Sequence, residues 1–177
     1  FGEFYVVIRY PKGDTTPYHY LEKKKERNTI MNTKYLDIKL QASDDQFYTL
    51  RDFKGQKIIL YFYPKDNTSG CTLESKDFTC LKDQYAEKGY KIIGVSKDTV
   101  RSHKNFITKQ ELDLLLLADP EKEMITALDL LKEKSMYGKK YMGVVRSTFV
   151  LDEEGNITKE YRDVKAQGHA EALLNEL

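Results

Sequence analysis

The sequence predicts an α/β domain: a mixed central sheet flanked by helices on both faces, with an N-terminal β-hairpin. Three observations carry this. Lys57–Tyr63 (KIILYFY), Tyr90–Ser96 (YKIIGVS) and Leu114–Ala118 are short apolar runs, rich in β-branched and aromatic residues, as strands buried on both faces are. The segments between them carry helix start and stop signals. Ser147–Asp152 and Asn156–Tyr161, joined around Glu-Glu-Gly-Asn, read as a closing hairpin, and its antiparallel strands make the sheet mixed.

Taken in order, Leu36–Leu40 alternates apolar and polar, and Phe47–Leu50 follows it across a Ser-Asp-Asp turn as a short partner strand. After the KIILYFY strand, Thr72 to about Lys88 reads as a helix stopped by Gly89. Val100–Gln110 reads as a second helix. Asp119-Pro120 opens a third, with proline at its first position, running through Met124, Ile125, Leu128 and Leu131. A last amphipathic helix takes in His169, Ala170, Leu173, Leu174 and Leu177.

Residues 1–30 differ from the rest. They hold a charge cluster, Glu22 to Arg27, and little periodicity, and the KKKER stretch stands just before Met31, as a translated ribosome-binding site would. They are read as a leader or disordered extension, with the domain spanning 31–177; the alternative is a genuine extension with a strand at Tyr5–Tyr10.

The bulk chemistry excludes several classes. A net charge of +1 gives no general electrostatic reason for a nucleic-acid or anionic-membrane partner. No apolar run approaches the ~18 residues of a membrane span. Two cysteines are too few for a disulfide scaffold or a cysteine-rich zinc site, and His19, His103 and His169 lack ligand spacing to either. Neither a metal nor a cofactor is called for. Free thiols and the lack of a signal-peptide pattern suggest the cytoplasm.

Both cysteines lie in residues 61–80, YFYPKDNTSGCTLESKDFTC. Cys71 falls just past the carboxyl end of a central strand and at the start of a helix. Unpartnered N–H groups and the helix dipole converge there, so an accessible thiolate of depressed pKa is expected. Pro64 ends the strand and stiffens the turn. The Thr68 hydroxyl can cap the helix or bond a ligand beside the sulfur. Gly70 allows the backbone to come close to whatever binds. Lys65 and Asp66 are assigned loop structure only, Tyr61 and Tyr63 core, and His103 and His169 solvated helix faces.

Pro64-x-x-x-Thr68-x-x-Cys71 matches the P-x-x-x-T-x-x-C signature of the peroxiredoxins. FYPKDNTSGCTLE and YGKKYMGVVRSTFVLDEEGNI (137–157) resemble two blocks of the bacterioferritin co-migratory protein, or Q-type, branch. The likeness runs from about Tyr35 to the end of the chain. It implies a thioredoxin-like fold and a thioredoxin-dependent peroxidase that reduces hydrogen peroxide and organic hydroperoxides, an antioxidant activity. It implies Cys71 as peroxidatic thiol, Thr68 as the hydroxyl that orients the peroxide, Arg146 as the guanidinium facing the sulfur and Pro64 as a shield. Glu74 matches the acid that pairs with the arginine, although an acid in a first helical turn stabilises any helix. The backbone N–H groups of Gly70 and Cys71 would join Arg146 in stabilising charge on the departing oxygen.

The chain departs from the branch at one point. Many members carry a resolving cysteine five residues after the peroxidatic one, and here that position is Lys76. Cys80, nine residues on, would lie ~180° round an intact helix and ~13 Å along it, beyond the ~7 Å Cα separation a disulfide allows. Three routes stay open. The enzyme works with one cysteine and an external reductant, which is preferred; Cys80 resolves after the helix melts; or Cys80 bonds a partner. The expected reductant is a thioredoxin-like protein or a low-molecular-weight thiol, and the expected state a monomer, with a dimer open. A thioredoxin-type oxidoreductase needs Cys-x-x-Cys, and its fourth place here is Glu74. A thioredoxin-fold redox sensor or binding module without turnover is the second alternative.

Overall fold

The structure is a computed structural model that describes residues 33–177 and the backbone strand His19–Glu22. In chain order the strands are β1 (His19–Glu22), β2 (Leu40–Ala42), β3 (Phe47–Tyr48), β4 (Lys57–Phe62), β5 (Tyr90–Ser96), β6 (Leu115–Ala118), β7 (Leu131–Met136), β8 (Lys139–Val144), β9 (Ser147–Leu151) and β10 (Ile157–Arg162). The helices are α1 (Ser69–Glu87), α2 (Val100–Gln110), α3 (Glu123–Ala127) and α4 (His169–Glu176).

Eight strands form one sheet in the order β1-β10-β9-β4-β5-β6-β2-β3. β4, β5 and β6 are parallel, and β9 runs antiparallel to β4. The KIILYFY stretch therefore lies at the centre, and its period-2 alternation divides the core in two. Ile58, Leu60 and Phe62 face a cluster that includes Met124 and Ile125 of α3. Ile59, Tyr61 and Tyr63 face the other, with Cys71, Phe78 and Tyr85 of α1, Phe106 of α2 and Leu173 of α4. The helices are unequally shared: α1, α2 and α4 pack on the second face, while the first is covered by the single turn of α3 and a 3-10 turn, Lys34–Leu36.

The helix α1 ends where its glycine predicts. Gly89 takes φ +86° and its N–H donates to the Ala86 carbonyl. A second glycine matters for packing. A Cβ on Gly94 of β5 would lie 2.7 Å from Leu116 Cδ2 and 2.8 Å from Tyr61 Cζ. Gly94→Ala is expected to destabilise the fold by about 1–3 kcal/mol through overpacking. At ~2–4 °C per kcal/mol for a chain of this size, the calorimetric midpoint falls by roughly 5 °C.

Three elements differ from the sequence expectation. Leu36, Ile38 and Leu40 are all buried, as the alternation at 36–40 requires, but the ladder begins only at Leu40. The chain before it coils as a 3-10 turn, and β2 pairs with β6 from Gln41 onward. The third helix is much shorter than expected. Asp119 accepts the N–H groups of Glu123 and Ile125, but Lys122 turns left-handed, so α3 starts at Glu123 and ends at Ala127. Leu131 belongs instead to β7, which pairs with β8 in a separate two-stranded ribbon. Its turn is Tyr137-Gly138, with φ +52° and +76°, the two-residue hairpin geometry that favours a glycine. The readings of residues 1–30 as leader and of Tyr5–Tyr10 as a strand fall outside the described residues, apart from His19–Glu22. That segment pairs antiparallel with β10, His19 opposite Arg162.

Candidate active site

Thr68 is the N-cap of α1, so Ser69, Gly70 and Cys71 form its first turn, and their N–H groups precede the first intrahelical bond, Thr72 N–H to Thr68 O. The Thr68 hydroxyl does not cap the helix. It turns back and donates to the Lys65 carbonyl at 2.8 Å, which leaves its oxygen lone pairs free to accept from a ligand. Asn67, at φ +60°, reverses the chain between Asp66 and Thr68. Pro64 is half-buried at the loop's start.

Arg146 reaches this turn from the neighbouring strand, since Ser147 of β9 pairs with Phe62 at the end of β4. It lies between β8 and β9, and its backbone is held on both sides: Val145 N–H donates to Leu130 O and Val164 N–H to Arg146 O. Its guanidinium forks. Nη2 lies 3.3 Å from Cys71 Sγ, and Nη1 donates to Glu74 Oε1 at 3.1 Å. Gly70 makes room for this, since a Cβ there would come within 3.1 Å of Nη2. Cys71 and Glu74 are three residues apart and so share one face of α1.

The electrostatics are those of two buried groups, Cys71 and Glu74, around a partly exposed guanidinium. Glu74 has no exposed surface, and burial pushes its carboxyl up to about 7, opposed by the charge and hydrogen bond of Arg146. Burial works against the Arg146 charge as well, but Glu74 and Cys71 outweigh it and hold the guanidinium above its ordinary value. A carboxyl that is protonated folded and ionised unfolded binds more protons in the native state. Its contribution to stability is therefore lost as pH rises from 4.5 toward 7. His169, lowered to about 4 chiefly by burial, has the opposite sign and gains stability between 4 and 6.5, so the two slopes partly cancel. The difference isolates Glu74: Glu74→Gln should gain on the native chain by up to about 3 kcal/mol between pH 4.5 and 7. Urea unfolding at four pH values measures it, and a difference that stays flat with pH counts against a buried, proton-holding Glu74.

The structure brings together Cys71, Arg146, Glu74 and Gly70, with Thr68 on the same loop. It does not add Cys80. That thiol is exposed on the far side of α1, whereas Phe78 and Tyr85 turn inward with Cys71. The expectation of an accessible sulfur needs correction: Cys71 is 1% exposed, because it points into the cluster of Tyr61, Tyr63 and Phe78. Histidines 103 and 169 are also buried, not solvated. His169 Nε2 hydrogen-bonds Thr148 Oγ1 at 2.8 Å, and His103 meets Asp66, which is a buried hub and not mere loop. Tyr61 and Tyr63 are core, as expected, and each spends its hydroxyl inside, on Ser75 and Asp66.

Comparison with known proteins gives the family. Residues 31–160 match the AhpC/TSA family. The chain is 45% identical to peroxiredoxin Bcp of Xanthomonas campestris over 138 residues, 78% of this chain and 86% of the relative. It is 46% identical to peroxiredoxin Bcp of Bacillus subtilis, over 77% and 88%. Among solved structures, the bacterioferritin comigratory protein of Xanthomonas campestris, studied for alkyl peroxide reduction, superposes with a TM-score of 0.76 at 43% identity, covering 80% of this chain and 90% of that one. The peroxiredoxin Q of Xylella fastidiosa superposes at 0.78 with 37% identity, over 86% and 96%. The fold is thus thioredoxin-like, and the chain belongs to the AhpC/TSA family as a peroxiredoxin of the bacterioferritin co-migratory protein, or Q-type, branch.

Proposed function

We propose that this chain is a thiol-dependent peroxidase that reduces hydrogen peroxide and organic hydroperoxides through a sulfenic acid on Cys71. The observation that carries the reading is the 3.3 Å approach of Arg146 Nη2 to Cys71 Sγ in the first turn of α1. The sulfur, as thiolate, attacks one peroxide oxygen. An S–O bond forms, the O–O bond breaks, and the departing oxygen leaves with the electron pair and takes a proton to become water or an alcohol. Arg146 and the N–H groups of the first turn face the region where that negative charge grows. Thr68 orients the peroxide with its free lone pairs. Pro64 shields the loop.

The cycle closes when a thiol attacks the sulfenic sulfur, releasing water and forming a mixed disulfide, and a second thiol releases Cys71. A thioredoxin-like protein or a low-molecular-weight thiol fits as donor, in a reducing compartment such as the cytoplasm. Among the described residues no helix is long and apolar enough to cross a membrane. A monomer suffices for this chemistry.

The experiment is peroxide consumption with a thiol recycling system, paired with non-reducing mass analysis after one equivalent of peroxide. The reading expects many turnovers and one oxygen added at Cys71. Consumption that stops at one equivalent points to a sensor without turnover. An intramolecular disulfide that Cys80→Ser abolishes, together with turnover, overturns the one-cysteine cycle.

A further inference from the structure

Arg146 stands just before β9 and Thr148 follows it by two residues, so the period of a strand puts both side chains on the face that α1 and α4 cover. Thr148 is fully buried there, and its hydroxyl meets His169 Nε2 at 2.8 Å. His169 opens α4 and is 1% exposed, its ring edge-on to Phe78 of α1 and Tyr161 of β10. The same two stretches meet a second time, where Val164 N–H donates to the Arg146 carbonyl at 2.9 Å. Residues 146–148 and 164–169 thus close a ring through one main-chain and one side-chain hydrogen bond. The ring also touches the first turn of α1, since a Cβ on Gly70 would lie 3.7 Å from that of Ala166.

Packing alone does not ask for a histidine at this place. Burial, and after it the Arg146 charge, lowers His169 to about 4, so near neutral pH the ring is uncharged and carries one N–H. Nε2 has Thr148, but Nδ1 is buried and meets no partner among the described residues. A buried polar atom left unpaired costs stability, and a leucine on the apolar face of α4 would fill the space without that cost. What a leucine would lack is the bond to Thr148. That bond stands two residues from the guanidinium whose Nη2 lies 3.3 Å from Cys71 Sγ.

We propose that His169 is a positioning residue: through its bond to Thr148 it holds the start of β9 so that Arg146 points at Cys71 Sγ. The main-chain bonds of Val145 and Val164 fix where the Arg146 backbone lies. The bond of His169 to Thr148 fixes the tilt of the strand end about them, and a small tilt at Cα is magnified along the length of an arginine side chain. This rests on the peroxidase reading, which concerns Cys71 and Arg146 and gives His169 no part.

The test uses the full chain carrying Cys80→Ser, so that Cys71 is the only thiol. Thr148→Val keeps the shape and loses the hydroxyl, whereas Thr148→Ser loses a buried methyl group and keeps the hydroxyl. Oxidation of Cys71 by hydrogen peroxide is expected to slow about 10- to 100-fold in Thr148→Val, the scale of a misplacement of about 1 Å. It should stay within twofold of the parent in Thr148→Ser, whichever of the two melts lower. His169→Leu should slow it as Thr148→Val does, and if that chain does not fold the Thr148 pair still decides. In an Arg146→Ala background, Thr148→Val should slow oxidation no further, a coupling that a merely structural role would not show. A crystal structure of Thr148→Val should place Nη2 beyond hydrogen-bond reach of Sγ. Oxidation of Thr148→Val within twofold of the parent overturns the proposal, as does equal slowing in Thr148→Ser or slowing that persists without Arg146. A parent whose Cys71 does not react with peroxide overturns the peroxidase reading instead. The crystal structure of Thr148→Val then decides the role of His169, and an unmoved guanidinium overturns it.

Discussion

Cys71→Ser is expected to abolish peroxide consumption while leaving the fold intact. Serine is close in size to cysteine, and the position lies in a packed cluster with Arg146 still able to donate to the new hydroxyl, so the circular dichroism spectrum and melting midpoint should stay close to those of the parent. The chemistry has no substitute. A serine hydroxyl is not ionised near neutral pH, and it lacks the polarisable sulfur that accepts an oxygen from an O–O bond. Removal of a nucleophile in a comparable covalent mechanism lowers turnover on the order of 10⁶-fold. Activity should therefore reach the background of the thiol and peroxide alone in a coupled assay. Residual enzymatic consumption above that background would place the reacting atom elsewhere.

Arg146→Ala should damage reactivity and stability together, through two different bonds. Loss of the Nη2 donor at the sulfur removes a group aimed at the developing charge, and ~2.7–4 kcal/mol of barrier is typical, a fall of about 10²–10³ in the rate of Cys71 oxidation. Loss of the Nη1 donor takes the hydrogen bond from a fully buried Glu74, whose carboxyl then holds its proton more firmly, and about 1–3 kcal/mol of destabilisation is typical of a buried polar group left unpaired. At ~2–4 °C per kcal/mol the midpoint should drop by roughly 5 °C. Glu74→Gln added to Arg146→Ala separates the effects, because it removes the acid that must take up a proton to stay buried: the midpoint should recover and the oxidation rate should not. Arg146→Lys keeps a charge but not a fork, and should restore at most one of the two contacts. Stopped-flow oxidation and calorimetry on the same four proteins decide it. Recovery of the rate by Glu74→Gln would mean that Arg146 acts only as a structural counter-ion.

Much of this was readable before any coordinates. The buried runs at β4, β5 and β6 announce themselves, because strands covered on both faces need continuous apolar sequence. So does the junction of β4 and α1, since proline, a polar loop and a helix-start pattern surround Cys71. Arg146 is found only through resemblance: nothing local to Val145-Arg146 says that a backbone pinned by Leu130 and Val164 aims a guanidinium at Cys71. The start of the ribbon β7–β8 is hidden in the sequence because Met124, Ile125, Leu128 and Leu131 keep a helical spacing, and only the Tyr137-Gly138 turn contradicts it.

The two histidines were misplaced for a similar reason. His103 stands three residues before Phe106, and His169 four before Leu173, so each lies on the apolar face of its helix. Their partners explain why burial is tolerated: Asp66 and Leu117 for one, Thr148 for the other. Those partners come from 14 to 37 residues away in the chain, a range over which periodicity carries no information.

The wound helix between the two sulfurs also governs reaction order. While the 19 residues of α1 stay coiled, Cys80 is as remote from an oxidised Cys71 as a thiol on a stranger. In the one-cysteine cycle proposed above, recycling depends on encounter with a second molecule, and turnover at saturating peroxide is expected to climb with donor concentration. In that cycle, dilution of the donor, not of the enzyme, sets how long the sulfur stays oxidised.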